Sequence, residues 1–369
     1  MIGKEFFTHL NVNKQGESAG HFGNRENLFF ILIAFLFVVA GLVYSIPGVA
    51  MWVGFFVASY SVVANDSLQT IGTFINSNED KKWWVMWLFI GAIFLVIIFY
   101  SWYSFNGDVS FQRLSSKGFS ESPSQYSFMQ IAAPIVLLIL TRLKMPVSTT
   151  FMLLGVFTTN VEGVLNVVTK SFLGYVIAFL TAFIVWFLLN KTFENFTKKV
   201  AKPFWIVLQW GISGVLWGMW IAHDAANVAI FLPRQLSLIQ FIIFAASIFL
   251  GLGFLFYKRG AKMQEIVSEK TDLSDVRSAT VVDLVYAFIL LLFINVSTIP
   301  MSTTWVFIGL LGGRELAKAI SKSSVKQNNE RVLKAVLKDL MLAGLGFVIS
   351  IILALLSNKE LVSQFINLF

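Results

Sequence analysis

No cysteine occurs in the 369 residues, so disulfides, thiol nucleophiles and thiolate metal sites are excluded at the outset. Histidine is almost as scarce, and His9, His21 and His223 are too scattered along the chain to suggest a histidine-rich metal cluster. The shortage of charge says most. Asp, Glu, Lys and Arg together make up 13% of the chain, about half of the ~25% carried by a soluble globular protein. What fills their place is apolar, with 57% hydrophobic residues and 38 phenylalanines. The length would suit two soluble domains, but this composition excludes them and leaves a polytopic, all-α membrane protein. The net charge of +8 sits in the connectors between apolar runs. It therefore reads as membrane orientation, with no nucleic-acid partner expected.

The first 27 residues mix Lys4, Glu5, Lys14, Glu17, Arg25 and Glu26 and lack the apolar core of a secretory signal. Runs long enough to span a bilayer, about 20 residues, follow at 28–46, 49–77, 83–103, 171–189, 204–222, 238–257 and 339–356. Two further stretches, 128–157 and 281–313, are each broken near the middle by a proline, Pro146 and Pro300. Halves of about 15 residues are too short to cross hydrocarbon alone. The expectation is two re-entrant helical hairpins whose polar tips line a cavity. With that topology, segments 1–27, 78–82, 190–203, 258–280 and 314–338 share one face and collect most of the Lys and Arg. The opposite face keeps Arg113, Lys117, Lys170 and Lys359. The positive-inside rule makes the basic face cytoplasmic, with the N-terminus inside and the chain in a plasma or inner membrane.

The sequence also repeats itself. Asn65-Asp66 lies near the second span and His223-Asp224, with Asn227, near the fifth full span. Pro146-Val147-Ser148-Thr149-Thr150 and Pro300-Met301-Ser302-Thr303-Thr304 mark the two hairpins. From Asp66 to Pro146 is 80 residues, and from Asp224 to Pro300 is 76. The organisation expected is an N-terminal segment 1–27, a leading helix plus first repeat over 28–189, a linker 190–203, a second repeat over 204–356 and a tail 357–369. The hairpins open to opposite sides, as in inverted-repeat secondary transporters.

The chemistry of these motifs points to an oxyanion. A proline suits the first turn of a helix. A helix starting at Pro146 or Pro300 would aim the N–H groups of residues 148–150 or 302–304, a positive dipole end and the Ser/Thr hydroxyls into the cavity. The plainer reading is that Ser and Thr only cap a kinked helix. Asp66 and Asp224, ionisable inside apolar spans, should face a partner or a pathway. With Asn65 and Asn227 they offer hard oxygen ligands suited to Na⁺, and a carboxylate accepts the O–H of a protonated phosphate. His223 is either a packed imidazole or a proton-linked group. Arg142, Lys144 and Arg234 either lend positive charge to a bound anion or snorkel and pair elsewhere. Trp83, Trp84, Trp87, Trp102 and Trp186 suggest an interfacial belt. Asp283 reads as an acid at the start of a hairpin helix.

The paired Asn-Asp and Pro-x-Ser-Thr-Thr motifs, in matching order and spacing over roughly residues 49–320, resemble those of the inorganic phosphate transporter (PiT) family of ion-coupled symporters. That resemblance implies phosphate as substrate, Na⁺ or H⁺ as coupling ion and no other cofactor. It implies a substrate site from Ser148, Thr149, Thr150, Ser302, Thr303, Thr304, Asp66 and Asp224. Coupling-ion ligands would come from Asn65, Asp66, Gln69, His223, Asp224 and Asn227. His223 stands where the family's second motif has Asn, Gln69 replaces a later Asn, and Phe151 and Trp305 replace a His. A sulfate or other oxyanion permease is the alternative, ahead of a channel or an intramembrane enzyme on a lipid phosphate. A near-symmetric duplicated site with no nucleophile–base pair suits transport better than catalysis. A homodimer is left open.

Overall fold

The computed structural model describes residues 19–115, 119–143, 145–197, 201–258, 275–321 and 326–367. Most of the N-terminal segment and of the 258–280 connector lie outside the described residues, as does Lys144. Among the described residues there are helices and no strands. They are α1 (Ala19–Val43), α2 (Pro47–Asn65), α3 (Ser67–Ser77), α4 (Trp83–Ser104), α5 (Phe128–Arg142), α6 (Val161–Thr197) and α7 (Pro203–Ala229). There follow α8 (Leu238–Tyr257), α9 (Val276–Val296), α10 (Thr303–Ser321), α11 (Lys326–Ser357) and α12 (Lys359–Ile366). Eight of these helices are long and apolar enough to cross a membrane. Pro47 and Pro203 open α2 and α7, where a missing N–H leaves no bond unmade. Only 11% of the apolar part of α1 is buried, so its hydrophobic surface is left for lipid.

The expected span 49–77 is two helices that meet at Asp66. Here the Gln69 N–H bonds back to the Asp66 carbonyl (3.0 Å), a three-residue closure that interrupts the α-helical pattern at the acid. The two proline-broken stretches differ from each other. The first folds back on itself, because the Gln130 side chain at its start donates to the Val156 carbonyl at its end (3.1 Å). Its arms are short: α5 has 15 residues, and a five-residue π-helical turn, Thr150–Leu154, follows the break. Arms of about 15 residues do not describe the second stretch. There α9 has 21 residues and α10 has 19, each close to the ~30 Å thickness of a hydrocarbon core. Both run past the apolar limits and carry buried cations there that are paired with acids, Arg277 with Asp275 at the start of α9 (2.5 Å) and Arg314 with Glu315 within α10 (3.1 Å).

Neighbouring helices pair in a repeating way. Helix α2, which ends just before Asp66, packs on α5, and α7, which carries Asp224, packs on α9. The π turn lies against α11, and α10 lies along α6. That last contact is very close: a methyl group on Gly313 would stand 2.9 Å from the Phe179 carbonyl carbon, and one on Gly309 would stand 3.1 Å from that of Tyr175. Small residues four apart let two backbones touch. The tryptophans divide. Trp84 is exposed, whereas Trp87 and Trp102 donate to the carbonyls of Phe249 and Leu236. Trp186 is not in a belt; it is fully buried with the Arg314 guanidinium over its ring, 5.9 Å from the centroid.

Candidate functional site

Both tips start as capped helices, but not at the prolines. The first helical residues are Thr149 and Thr303. Ser148 and Ser302 stand just before them and accept the N–H of Phe151 (3.1 Å) and Trp305 (3.2 Å). The serines are thus N-caps, and Pro146 and Pro300 lie two residues outside. The Ser302 N–H is also taken, by the Ser171 hydroxyl of α6 (2.8 Å).

The two tips meet. Thr150 donates its hydroxyl to the Met301 carbonyl (3.3 Å), and Thr304 donates to the Val147 carbonyl (3.4 Å). Each bond is the counterpart of the other with the copies exchanged. Around this junction the acidic motifs are buried on every side. The Asn65 amide donates to Asp66 (2.7 Å) and to the Val147 carbonyl (3.0 Å), and its own oxygen accepts from Thr141 (3.3 Å). Thr149 donates to the second Asp66 oxygen. The Asn227 amide donates to Asp224 (2.7 Å) and to Thr149 (2.9 Å) and Thr150 (3.3 Å) of the other copy. The Asp66 and Asp224 carboxylates lie near enough to interact. The Thr303 hydroxyl lies beside Asp224 without closing a bond to it.

Several oxygens in this cluster have no partner, Asp224 Oδ2 and Asn227 Oδ1 besides the Thr303 hydroxyl, and neither does the buried Gln69 Oε1, one turn of chain beyond Asp66. A buried acceptor left unsatisfied is costly. Hard carboxylate and amide oxygens are what an alkali cation takes, and the Thr303 hydroxyl can donate to an oxyanion. Among the described residues no group of three or more His, Asp or Glu side chains has the arrangement of a metal centre. His223 is also fully buried, but its Nε2 turns to the Leu290 carbonyl of α9 (2.9 Å). A carbonyl only accepts, so Nε2 carries the hydrogen, and Nδ1 is left without a partner.

Not every residue singled out from the sequence comes to this cluster. Arg142 pairs with Glu26 (2.5 Å) and stacks over Phe29, with 5.0 Å from its guanidinium carbon to the ring centroid. Arg234 donates to the carbonyls of Phe119, Glu121, Ile230 and Leu232. It fastens a loop to the end of α7. Asp283 is the eighth residue of α9 and not its opening acid, a place held by the N-cap Asp275. It is fully buried and accepts from Thr73 of α3 (2.6 Å) and Ser213 of α7 (2.5 Å).

Two cations that sequence reasoning assigned to an exposed face are buried instead. Arg113, 2% exposed, donates to the Ala222 carbonyl (2.5 Å) beside the second acidic motif and to the Ile299 carbonyl (3.3 Å). Lys170, 7% exposed, donates to the carbonyls of Ser297 (2.8 Å) and Ile299 (2.6 Å). Counting basic residues by segment marks a face but not where a side chain reaches; for Arg113 the Asn106-Gly107 turn upstream was a signal, and Lys170, within α6, carried none.

No protein-family model matches the sequence, and neither does any curated protein. The fold does have a counterpart: it is similar to a solved structure of a sodium-dependent phosphate transporter, with a TM-score of 0.56 at 17% identity, over 84% of this chain and 98% of that one.

Proposed function

We propose that this chain is an ion-coupled secondary transporter of inorganic phosphate, with Na⁺ as coupling ion. It works by alternating access between two inverted halves, 28–189 and 204–356, the first carrying a re-entrant segment with short arms and the second a longer helical pair, α9 and α10. The observation that carries this reading is the junction of the two Ser-Thr-Thr tips, where Thr150 and Thr304 bond across the copies next to both Asn-Asp-type motifs. The similarity to a sodium-dependent phosphate transporter fold supports it. Phosphate takes donors from the tip hydroxyls, and Asp66 or Asp224 accepts the O–H of its protonated form, which sulfate lacks. The unpaired oxygens of Asp224, Asn227 and Gln69 are the Na⁺ ligands. The basic face, with Lys81 and Lys82, is cytoplasmic. The purified protein in proteoliposomes tests this. Labelled phosphate should accumulate under an inward Na⁺ gradient and not under a H⁺ gradient, and unlabelled sulfate should not compete. Equal competition by sulfate would make this a general oxyanion permease, and no uptake under either gradient would refute the proposal.

A further inference from the structure

We propose that Arg113 and Lys170 form a cationic latch on the second tip, holding the 297–302 turn shut over Asp224 and Thr303 and releasing it when the site opens. Both side chains converge on one acceptor, the Ile299 carbonyl just before Pro300. Lys170 adds the Ser297 carbonyl and Arg113 adds that of Ala222, so the turn is tied to α6 on one side and to α7 on the other. Ser297 follows α9, whose C-terminal carbonyls carry the negative end of the helix dipole. Cations belong there.

The loop that brings in Arg113 is built to do so. Ala222 lies seven residues before the end of α7, about 10 Å along the helix, so the side chain reaches well inside the bundle. Just upstream, Phe111 (φ 54°) and Gln112 (φ 59°) are both left-handed, a region that bulky residues avoid unless their surroundings force it. Here the surroundings do. Asp108 accepts the N–H of Ser110 (2.6 Å) and of Gln112 (2.8 Å), and the Ser101 hydroxyl accepts that of Phe111 (3.2 Å). Gly107, at φ 96°, seats its carbonyl on the Leu236 N–H (2.8 Å). A loop this tightly determined delivers one side chain to one place.

The two cations lie near each other, on the one Ile299 carbonyl, and Arg113 also lies near Asp224. Their mutual repulsion is offset while the turn is closed by the shared Ile299 carbonyl and by the Ala222 and Ser297 carbonyls that each holds separately. An oxyanion offers them stronger, charge-assisted partners, so an arriving anion would loosen the turn. That last step rests on the transport reading; the latch itself does not.

Arg113 and Lys170 are therefore positioning residues for the tip, and the test reads the tip directly. With Thr303→Cys as the sole thiol of the full-length protein in detergent, labelling by a water-soluble maleimide reports whether the turn is open. Adding Arg113→Gln or Lys170→Met should raise the labelling rate about tenfold or more, as expected when the closed state loses the two charged hydrogen bonds that each cation makes. Arg113→Lys and Lys170→Arg keep the charge and should stay close to the parent rate. Arg234→Gln, which also strips a loop arginine of carbonyl partners, should not raise it. Each neutral variant that folds is read on its own. Unchanged labelling, or an equal rise in the charge-preserving variants, overturns the latch. Neither phosphate nor a gradient enters this assay, so failed uptake would sink the transport reading and leave the latch standing.

Discussion

Replacing Gly313 by Ala puts a methyl group where α10 and α6 touch backbone to backbone. The added carbon would lie 2.9 Å from the Phe179 carbonyl carbon and nearer still to its oxygen, against an ordinary contact of 3.4 Å or more. The obstacle is main chain, which cannot rotate aside, so the helices must part by about half an ångström or more. Overpacking of this kind costs about 1–3 kcal/mol, more than the ~1 kcal/mol of helix propensity that alanine returns. The displacement reaches the tip, because α10 begins with Thr303 and α6 supplies Ser171 to the Ser302 N–H. Gly313→Ala should therefore lower the melting temperature in detergent by a few degrees and reduce phosphate uptake. Gly344→Ala is the control, since nothing lies within 4 Å of its added carbon, and it should leave the protein as stable as before or slightly more so. Gly309→Ala should behave like Gly313→Ala, and the pair together should cost less than the sum because both act on one interface. Equal melting temperatures for Gly313→Ala and Gly344→Ala would refute the reasoning.

Four further outcomes follow from the site. Asp66→Asn and Asp224→Asn keep shape and much of the bonding; each should abolish gradient-driven uptake at a nearly unchanged melting temperature, and normal uptake by both would refute their role. Replacing Ser148, Thr149, Ser302 and Thr303 together by Ala removes two helix caps and the hydroxyls beside both carboxylates. Phosphate binding by calorimetry should be lost from a protein less stable by about 2 kcal/mol, roughly one per cap, and retained binding would move the site elsewhere. His223→Asn should cost about 1 kcal/mol through the bond to Leu290 and leave the Na⁺ and pH dependence of uptake unchanged; a shifted pH profile would make the imidazole a coupling group. A cysteine at position 117 should react with an impermeant reagent outside intact cells and one at position 198 should not, with the reverse pattern inverting the orientation.

The motifs that meet at the tips were readable because their chemistry sits in short, contiguous runs. Asn65-Asp66 sets an amide beside an acid and each Ser-Thr-Thr segment sets three hydroxyls in a row, so each motif stood out by itself, and their repetition in matching order, with the family resemblance, suggested that they work together. What spacing cannot carry is reach. Arg113 belongs to the cluster only because left-handed residues at 111 and 112 turn the chain inward, and backbone sign leaves no mark in the residue types Phe and Gln. Asp283 was misplaced for a related reason. The apolar run begins at 281, but α9 begins at Val276, because Asp275 caps it and pairs with Arg277. Hydropathy follows lipid contact, whereas helix ends follow capping. The break at Asp66 was hidden because neither glycine nor proline marks it.

The bonds of the junction are unequal in when they can form during synthesis. Asp66 finds Asn65 and Thr149, and Asn65 finds Thr141 and the Val147 carbonyl, all within the first copy. Thr150 must wait for Met301, 151 residues further along, which at about 5–20 residues per second is roughly 8–30 s of translation. The second copy cannot finish on its own at all, since Asn227 donates to Thr149 and Thr150. The early half thus enters the membrane with its acid already sheltered and serves as the template on which the late half is assembled. Ribosome stalling between the two motifs should leave the first copy's contacts intact, whereas a late half made alone would carry an exposed carboxylate into the bilayer and be a natural target for quality-control proteolysis.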